Sequence, residues 1–197
     1  QTSHSVPISV TTSDGNTITK NWATILIGEM RFGGSPNPPG GAPWLHGKRV
    51  GLSSIFALDI TDPENPDLLW EFTDNDLGFT TSYPAIVRIG DPDAGGPRQD
   101  DRINGDWYVV LGSGPRDYEG DTPPSRGYIY VIDLKTGTLI KKLSVGNHTY
   151  IGDCIAVDPD HDYTVDAIYC GTVKRQGSNV IGDMLRILTD EKGPNNW

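Results

Sequence analysis

The sequence predicts an all-β chain: part of a β-propeller, with about three four-stranded blades, two of them incomplete. Three observations predict it. Helical spacing is nearly absent, and the only tolerable stretch, 184–188, is too short and too poorly capped to stand alone. Short β-branched or aromatic runs, bounded by Gly, Pro, Asp or Asn, recur along the chain. Two of those runs repeat in a fixed order, and antiparallel strands repeated radially are propeller logic.

The elements follow in order. Ile8 to Val10 and Thr17 to Thr19 flank Asp14-Gly15, a hairpin signal. Asn21-Trp-Ala-Thr-Ile-Leu-Ile-Gly28 matches Asp106-Trp-Tyr-Val-Val-Leu-Gly112, with Asp166-Ala-Ile-Tyr-Cys-Gly171 a shorter third version. Ile55-Phe-Ala-Leu-Asp-Ile-Thr-Asp62 matches Ile129-Tyr-Val-Ile-Asp-Leu-Lys-Thr-Gly137, and 183–188 is the third candidate. A turn then leads to an outer strand, 68–72 or 139–143. An inner strand precedes the middle and last copies, at 82–87 and 153–157. The first blade therefore lacks an inner strand on this reading, and the last lacks an outer one. The divisions are 1–77 for the first blade and N-terminal hairpin, 78–146 for the second blade, and 147–197 for the third. Propellers close with typically 4–8 blades, so the expectation is a fragment whose partner is the missing remainder of its own ring. Two insertions, 31–51 and 113–127, emerge at one repeated position, where long irregular segments often form a binding face; ordinary length variation is the competing reading.

Composition narrows the function. Hydrophobic residues make up 36%, enough with the abundant Gly for a core. Lys+Arg 16 against Asp+Glu 26 leaves a net charge of −10, which argues against nucleic acid as the main partner. No apolar run approaches the ~20 residues of a membrane helix, so no membrane span is expected. The first residue is Gln1, which points to a removed signal peptide or a larger N-terminal part. No phosphate loop, H-E-x-x-H or Ser-His-Asp order is present. His4, His46, His148 and His161 read as loop residues, and Asp59 and Asp133, at one repeated blade position, read as turn formers rather than catalysts.

The last third carries the chemistry. Asp158, Asp160 and Asp162 stand at positions 1, 3 and 5 of a D-x-D-x-D run, and Asp166 stands at position 9. Calcium takes six to eight oxygens, and this alternation can wrap carboxylates round one centre, with the Thr164 carbonyl at position 7. Position 12 is Tyr169, not Glu, so this is no full EF-hand. Tyr163 must make the bend usually left to Gly. The competing reading is a solvated turn, although four acids within nine residues repel unless a cation joins them. Cys154 and Cys170 suit either one disulfide in an oxidising compartment or two buried thiols. Each lies eight residues from Asp162, which sets them opposite across a hairpin and predicts their bond.

Further motifs carry a resemblance. Ala57-Leu-Asp-Ile-Thr-Asp-Pro-Glu-Asn-Pro-Asp-Leu-Leu-Trp-Glu-Phe72, then Ser82-Tyr-Pro-Ala-Ile-Val87, Tyr130-Val-Ile-Asp-Leu-Lys-Thr-Gly137 and Val157-Asp-Pro-Asp-His-Asp-Tyr-Thr-Val-Asp166 are similar to the C-terminal propeller of the PilY/PilC family. Those are type IV pilus biogenesis factors and tip-associated adhesins. The resemblance covers 22 to about 190. It implies a non-enzymatic, exported protein at the cell surface, holding Ca2+ in the acidic loop and acting with pilin or minor pilin subunits. Host or abiotic surfaces are further implied contacts. The aspartate–Thr–Gly turn also resembles the repeats of quinoprotein dehydrogenase propellers, and a quinone-dependent dehydrogenase fragment is the alternative.

Overall fold

The computed structural model describes residues 23–36, 52–90, 105–118, 123–189 and 193–197 in full, together with the backbone of five short strands. In chain order the strands are β1 (Thr2–His4), β2 (Ile8–Thr11), β3 (Thr17–Lys20), β4 (Ala23–Glu29), β5 (Trp44–Leu45), β6 (Lys48–Arg49), β7 (Ile55–Asp59) and β8 (Asp67–Phe72). They continue as β9 (Ala85–Ile89), β10 (Asp106–Gly112), β11 (Arg126–Asp133), β12 (Leu139–Asn147), β13 (Thr149–Val157), β14 (Ala167–Gln176) and β15 (Asn179–Leu188). A single 3-10 turn, Pro194–Asn196, ends the described chain.

Three antiparallel sheets follow the repeat. Their orders are β1-β4-β7-β8, then β12-β11-β10-β9, then β13-β14-β15. The β2–β3 hairpin pairs Val10 with Ile18, while its Asp14-Gly15 turn lies outside the described residues. The first blade differs from expectation: β1 pairs with β4, Ser3 opposite Thr24, and fills the inner position that the repeat left empty. Thr2–His4 is short and polar, so hydrophobic patterning could not reveal a strand that contributes backbone pairing. His4 accordingly lies in a strand, not a loop, whereas His148 and His161 occupy turns with positive φ. His46 lies outside the described residues.

The third sheet also extends beyond the predicted runs. β14 and β15 pair continuously from Ala167↔Leu188 to Gln176↔Asn179 across a turn at Gly177. The helix-like spacing at 184–188 thus belongs to a strand, because ten consecutive backbone pairings outweigh five residues of weak helical pattern. Among the described residues no strand pairs on the outer side of β15.

The central strands of the middle sheet, β10 and β11, are buried on both faces. Trp107, Val109, Leu111, Tyr130 and Ile132 pack with Ile55, Ala57 and Trp70 of the first sheet. The alternate residues Tyr108, Val110, Ile129 and Val131 pack with Ile151, Ile168 and Ile187 of the third. Period-2 alternation sends successive side chains to opposite faces, so β10 and β11 need apolar residues at nearly every position.

Polar ties lock the first seam. The Trp70 indole Nε1–H donates to the Leu134 carbonyl at 2.8 Å. Its ring covers Gly137, where an added Cβ would lie 2.6 Å from Trp70 Cγ and where φ is +70°. Asp133 builds that turn, as predicted, accepting the N–H groups of Lys135 and Thr136 at 3.0 and 2.8 Å. Asp59 accepts from Thr61 N–H at 2.9 Å in the same way. Lys142 Nζ bridges Asp74 (2.7 Å) and Asp76 (2.8 Å) above the Tyr128 ring. Burial works against the Asp74 carboxylate, but Lys142, the Asp76 N–H and the Tyr130 hydroxyl together hold its pKa below the usual range.

A Gly137→Ala substitution is expected to destabilise the propeller by roughly 2–4 kcal/mol, from overpacking against Trp70 and the left-handed backbone. Urea unfolding followed by tryptophan fluorescence measures it, and an unchanged midpoint would refute the tie.

Candidate metal centre

The acidic loop joins β13 to β14, inner strand to second strand of the third blade. Asp166 N–H donates to the Val157 carbonyl at 3.0 Å and closes the loop at its base. Cys154 and Cys170 are direct cross-strand partners, Cα atoms 4.2 Å apart, and are joined by a disulfide. The register shift in β13 falls between Ile151 and Cys154, before the pair, so the symmetric spacing about Asp162 survives.

Inside the loop the carboxylates order the backbone. Asp158 accepts from Asp162 N–H at 3.3 Å and from Tyr163 N–H at 2.9 Å. Asp160 accepts from Asp162 N–H at 3.3 Å, and Asp162 from Thr164 N–H at 2.8 Å. His161 (φ 60°) and Tyr163 (φ 73°) both adopt the left-handed conformation that the bend requires. For non-glycine residues this costs about 1–2 kcal/mol each.

The loop brings one oxygen each of Asp158, Asp160 and Asp166 within 4.8 Å of one another. Calcium–oxygen distances are about 2.3–2.6 Å, so ligands on opposite sides of one ion stand roughly 5 Å apart. The three carboxylates fit that spacing. Asp162, another expected ligand, is outside this group of carboxylates and turns an oxygen towards Thr164 N–H.

Sequence reasoning missed the clamp that holds the loop. Arg88 in β9 is buried, and its Nη1 donates to the Tyr163 carbonyl at 2.6 Å. Val165 N–H donates to the Arg88 carbonyl at 2.9 Å, and Gly90 N–H to Thr164 Oγ1 at 3.2 Å. Thr189 closes the other side, its N–H on the Asp166 carbonyl and its hydroxyl on that of Val165. The signal was present: Arg88 interrupts an otherwise apolar strand, and a buried arginine needs partners.

Comparison with known proteins agrees with this architecture. The PilY1 beta-propeller domain model matches residues 44–195. The chain belongs to the PilY1 β-propeller family. It is 32% identical over 160 residues to the type IV pilus biogenesis factor PilY1 of Pseudomonas aeruginosa strain UCBPP-PA14, covering 78% of this chain and 11% of that protein. A PilY1 homolog from Xylella fastidiosa strain Temecula1 is 30% identical over 119 residues, covering 59% of this chain and 7% of that protein. The crystal structure of the Pseudomonas aeruginosa PilY1 C-terminal domain superposes with a TM-score of 0.52 at 26% identity, over 82% of this chain and 26% of that one. The chain thus spans about a tenth of the length of the first of these relatives. Those relatives are named as type IV pilus biogenesis factors, and a disulfide is the chemistry of an oxidising compartment. Among the described residues no helix is long and apolar enough to cross a membrane.

Replacing both cysteines by Ser is expected to cost about 3 kcal/mol, the chain-entropy value for a loop of this length. Thiol titration of the unfolded, unreduced wild type should find no free sulfhydryl; two would refute the bond.

Proposed function

We propose that this chain is a non-enzymatic, calcium-binding segment of an exported type IV pilus propeller that supports pilus biogenesis and surface attachment. Its blades divide at 1–77, 78–146 and 147–197, and the rest of the ring completes it. Pilin or minor pilin subunits are the partners, with host or abiotic surfaces as further contacts at the cell surface.

The observation that carries the reading is the convergence of Asp158, Asp160 and Asp166, in a chain of this family, on a loop clamped from two blades. Calcium there cancels the repulsion among the carboxylates. Asp162 and the Thr164 carbonyl complete the shell when the ion draws the loop in, and water supplies the remainder. The loop holds Arg88 of the second blade and Thr189 beyond β15, so occupancy stiffens the seam between blades two and three. The ion's role is structural and regulatory: it couples extracellular calcium to the rigidity of the propeller. Catalysis is not part of this reading. Asp59 and Asp133, the recurrent carboxylates, are engaged in turns, and the matched relatives are named as biogenesis factors.

Calorimetric titration of calcium into the metal-stripped full-length protein should give a single event with a dissociation constant of about 10⁻⁴–10⁻³ M, the range of extracellular modules. The Asp158→Ala/Asp160→Ala double variant should give none. Equal heats from both proteins, or no heat from the wild type, would end the claim. At a calcium concentration of about 100 Kd, wild-type stability should rise by roughly 2.7 kcal/mol. Cells carrying the double variant should display fewer surface pili; normal piliation and attachment would separate metal binding from pilus function.

A further inference from the structure

A second site lies at the other seam. A cleft of about 290 Å³ opens between β4 of the first blade and the start of β9 of the second. Ile25, Ile27, Ile60, Pro84 and Ile86 form its apolar floor and walls. Glu29 and Arg31 supply its charge, two residues apart and in step with Ile25 and Ile27.

Both charged groups have bonding capacity to spare. Glu29 Oε1 is shut off from solvent and accepts no hydrogen bond among the described residues. Arg31 is exposed and acts on Glu29 through its charge, without an ion pair to it among the described residues. Arg31 is nonetheless held: its backbone N–H donates to Thr80 Oγ1 of the second blade at 2.8 Å, and its φ of 52° lies in the left-handed region. Such strain in a non-glycine residue persists where the surroundings impose it, and it clusters at functional sites. A buried acceptor with no donor is destabilising, and a ligand bearing a donor relieves that cost.

The pairing of charges selects the ligand. A simple cation would meet Arg31, and a simple anion would meet Glu29 and the nearby Asp153. A molecule carrying both charges on adjacent atoms satisfies both groups, and the isoleucine floor accepts an aliphatic side chain. We propose that this cleft binds a small zwitterion, an α-amino acid with a branched aliphatic side chain. Its ammonium faces Glu29, its carboxylate faces Arg31, and its side chain lies on Ile25 and Ile27. Specificity for the intact zwitterion has two parts: an analogue without the ammonium leaves the buried Glu29 acceptor unmatched, and one without the carboxylate loses its contact with the exposed Arg31.

The site is also pH-dependent. Burial raises the Glu29 pKa to about 7, Arg31 opposing the shift and Asp153 of β13 reinforcing it. Tyr83, the remaining titratable group on the cleft, is exposed. The ammonium requires the ionised carboxylate, so affinity rises with pH through this value. It should be about tenfold weaker at pH 6 than at pH 8.

Isothermal titration of the calcium-saturated full-length protein tests this. L-Leucine should bind, while L-leucinamide, without the carboxylate, and N-acetyl-L-leucine, without the ammonium, should each bind at least tenfold more weakly. Glu29→Gln and Arg31→Gln should each lose at least tenfold in affinity for leucine, and Glu29→Gln should also abolish the pH dependence between 6 and 8. The two analogues act on the native protein, so their result stands even if a variant unfolds. No binding of leucine at millimolar concentration, equal binding of leucine and both analogues, or an unchanged pH profile in a folded Glu29→Gln variant would each overturn the proposal.

Discussion

A sheet buried on both faces is the constraint on which the structure depends. β10 and β11 have no solvent side: Val109 and Leu111 point into one seam while Val110 and Tyr108 point into the other. Such a sheet cannot exist alone, because each face exposes an apolar layer unless a neighbour covers it. The neighbouring sheets must stack face to face, and the right-handed twist of strands turns that stack into a fan. Close approach needs small residues where the sheets touch. At Gly112 an added Cβ would fall inside Ile151 of the third sheet. Side-chain volume is thus exchanged between blades as well as within them.

The seams carry the function-bearing groups because they are where buried polar groups must find partners. Ser82 shows the principle: its hydroxyl donates to the Gly152 carbonyl at 2.6 Å and accepts from Gly112 N–H at 3.1 Å, which stitches the second blade to the third. Arg88 does the same at the acidic loop, reaching from β9 to the Tyr163 carbonyl. The candidate metal centre therefore lies in the third blade but is braced by the second. At the first seam the order is reversed. Trp70 donates to the Leu134 carbonyl and Lys142 and Tyr130 both donate to Asp74, while Glu29 and Arg31 stay next to each other without an ion pair among the described residues. One seam is closed by its own residues, and the cleft at its inner end is left for another molecule.

The two insertions meet on one rim. Phe32, from the first, packs against Phe79 with ring centroids 5.4 Å apart and against Tyr118, from the second, at 5.8 Å. Arg116 Nη1 donates to the Pro36 carbonyl at 3.2 Å across the same gap. Repetition of blade geometry is enough to explain this, since both segments leave their sheets at the equivalent strand end.

The sequence by itself determined whatever depends on local spacing. Alternation in the runs around Val109 and Ile129 made strands. Asp59 and Asp133 bond backbone within three residues, so their turns were legible without tertiary knowledge. The D-x-D-x-D run and the cysteines flanking it gave the loop and its cross-strand pairing, because a hairpin converts symmetric spacing directly into contact. Only the tertiary structure decided what depends on surfaces brought together from afar. β1 became the inner strand of the first blade through backbone pairing alone, which leaves no side-chain pattern. Asp166 joined Asp158 and Asp160 while Asp162 turned to Thr164, since each carboxylate's orientation follows from which N–H lies nearest in the folded loop. Arg88 and Glu29 took their surroundings from strands tens of residues away, and burial there sets their partners and their charge. Spacing along a chain specifies hydrogen bonds that close within a few residues; desolvation depends on the full three-dimensional neighbourhood.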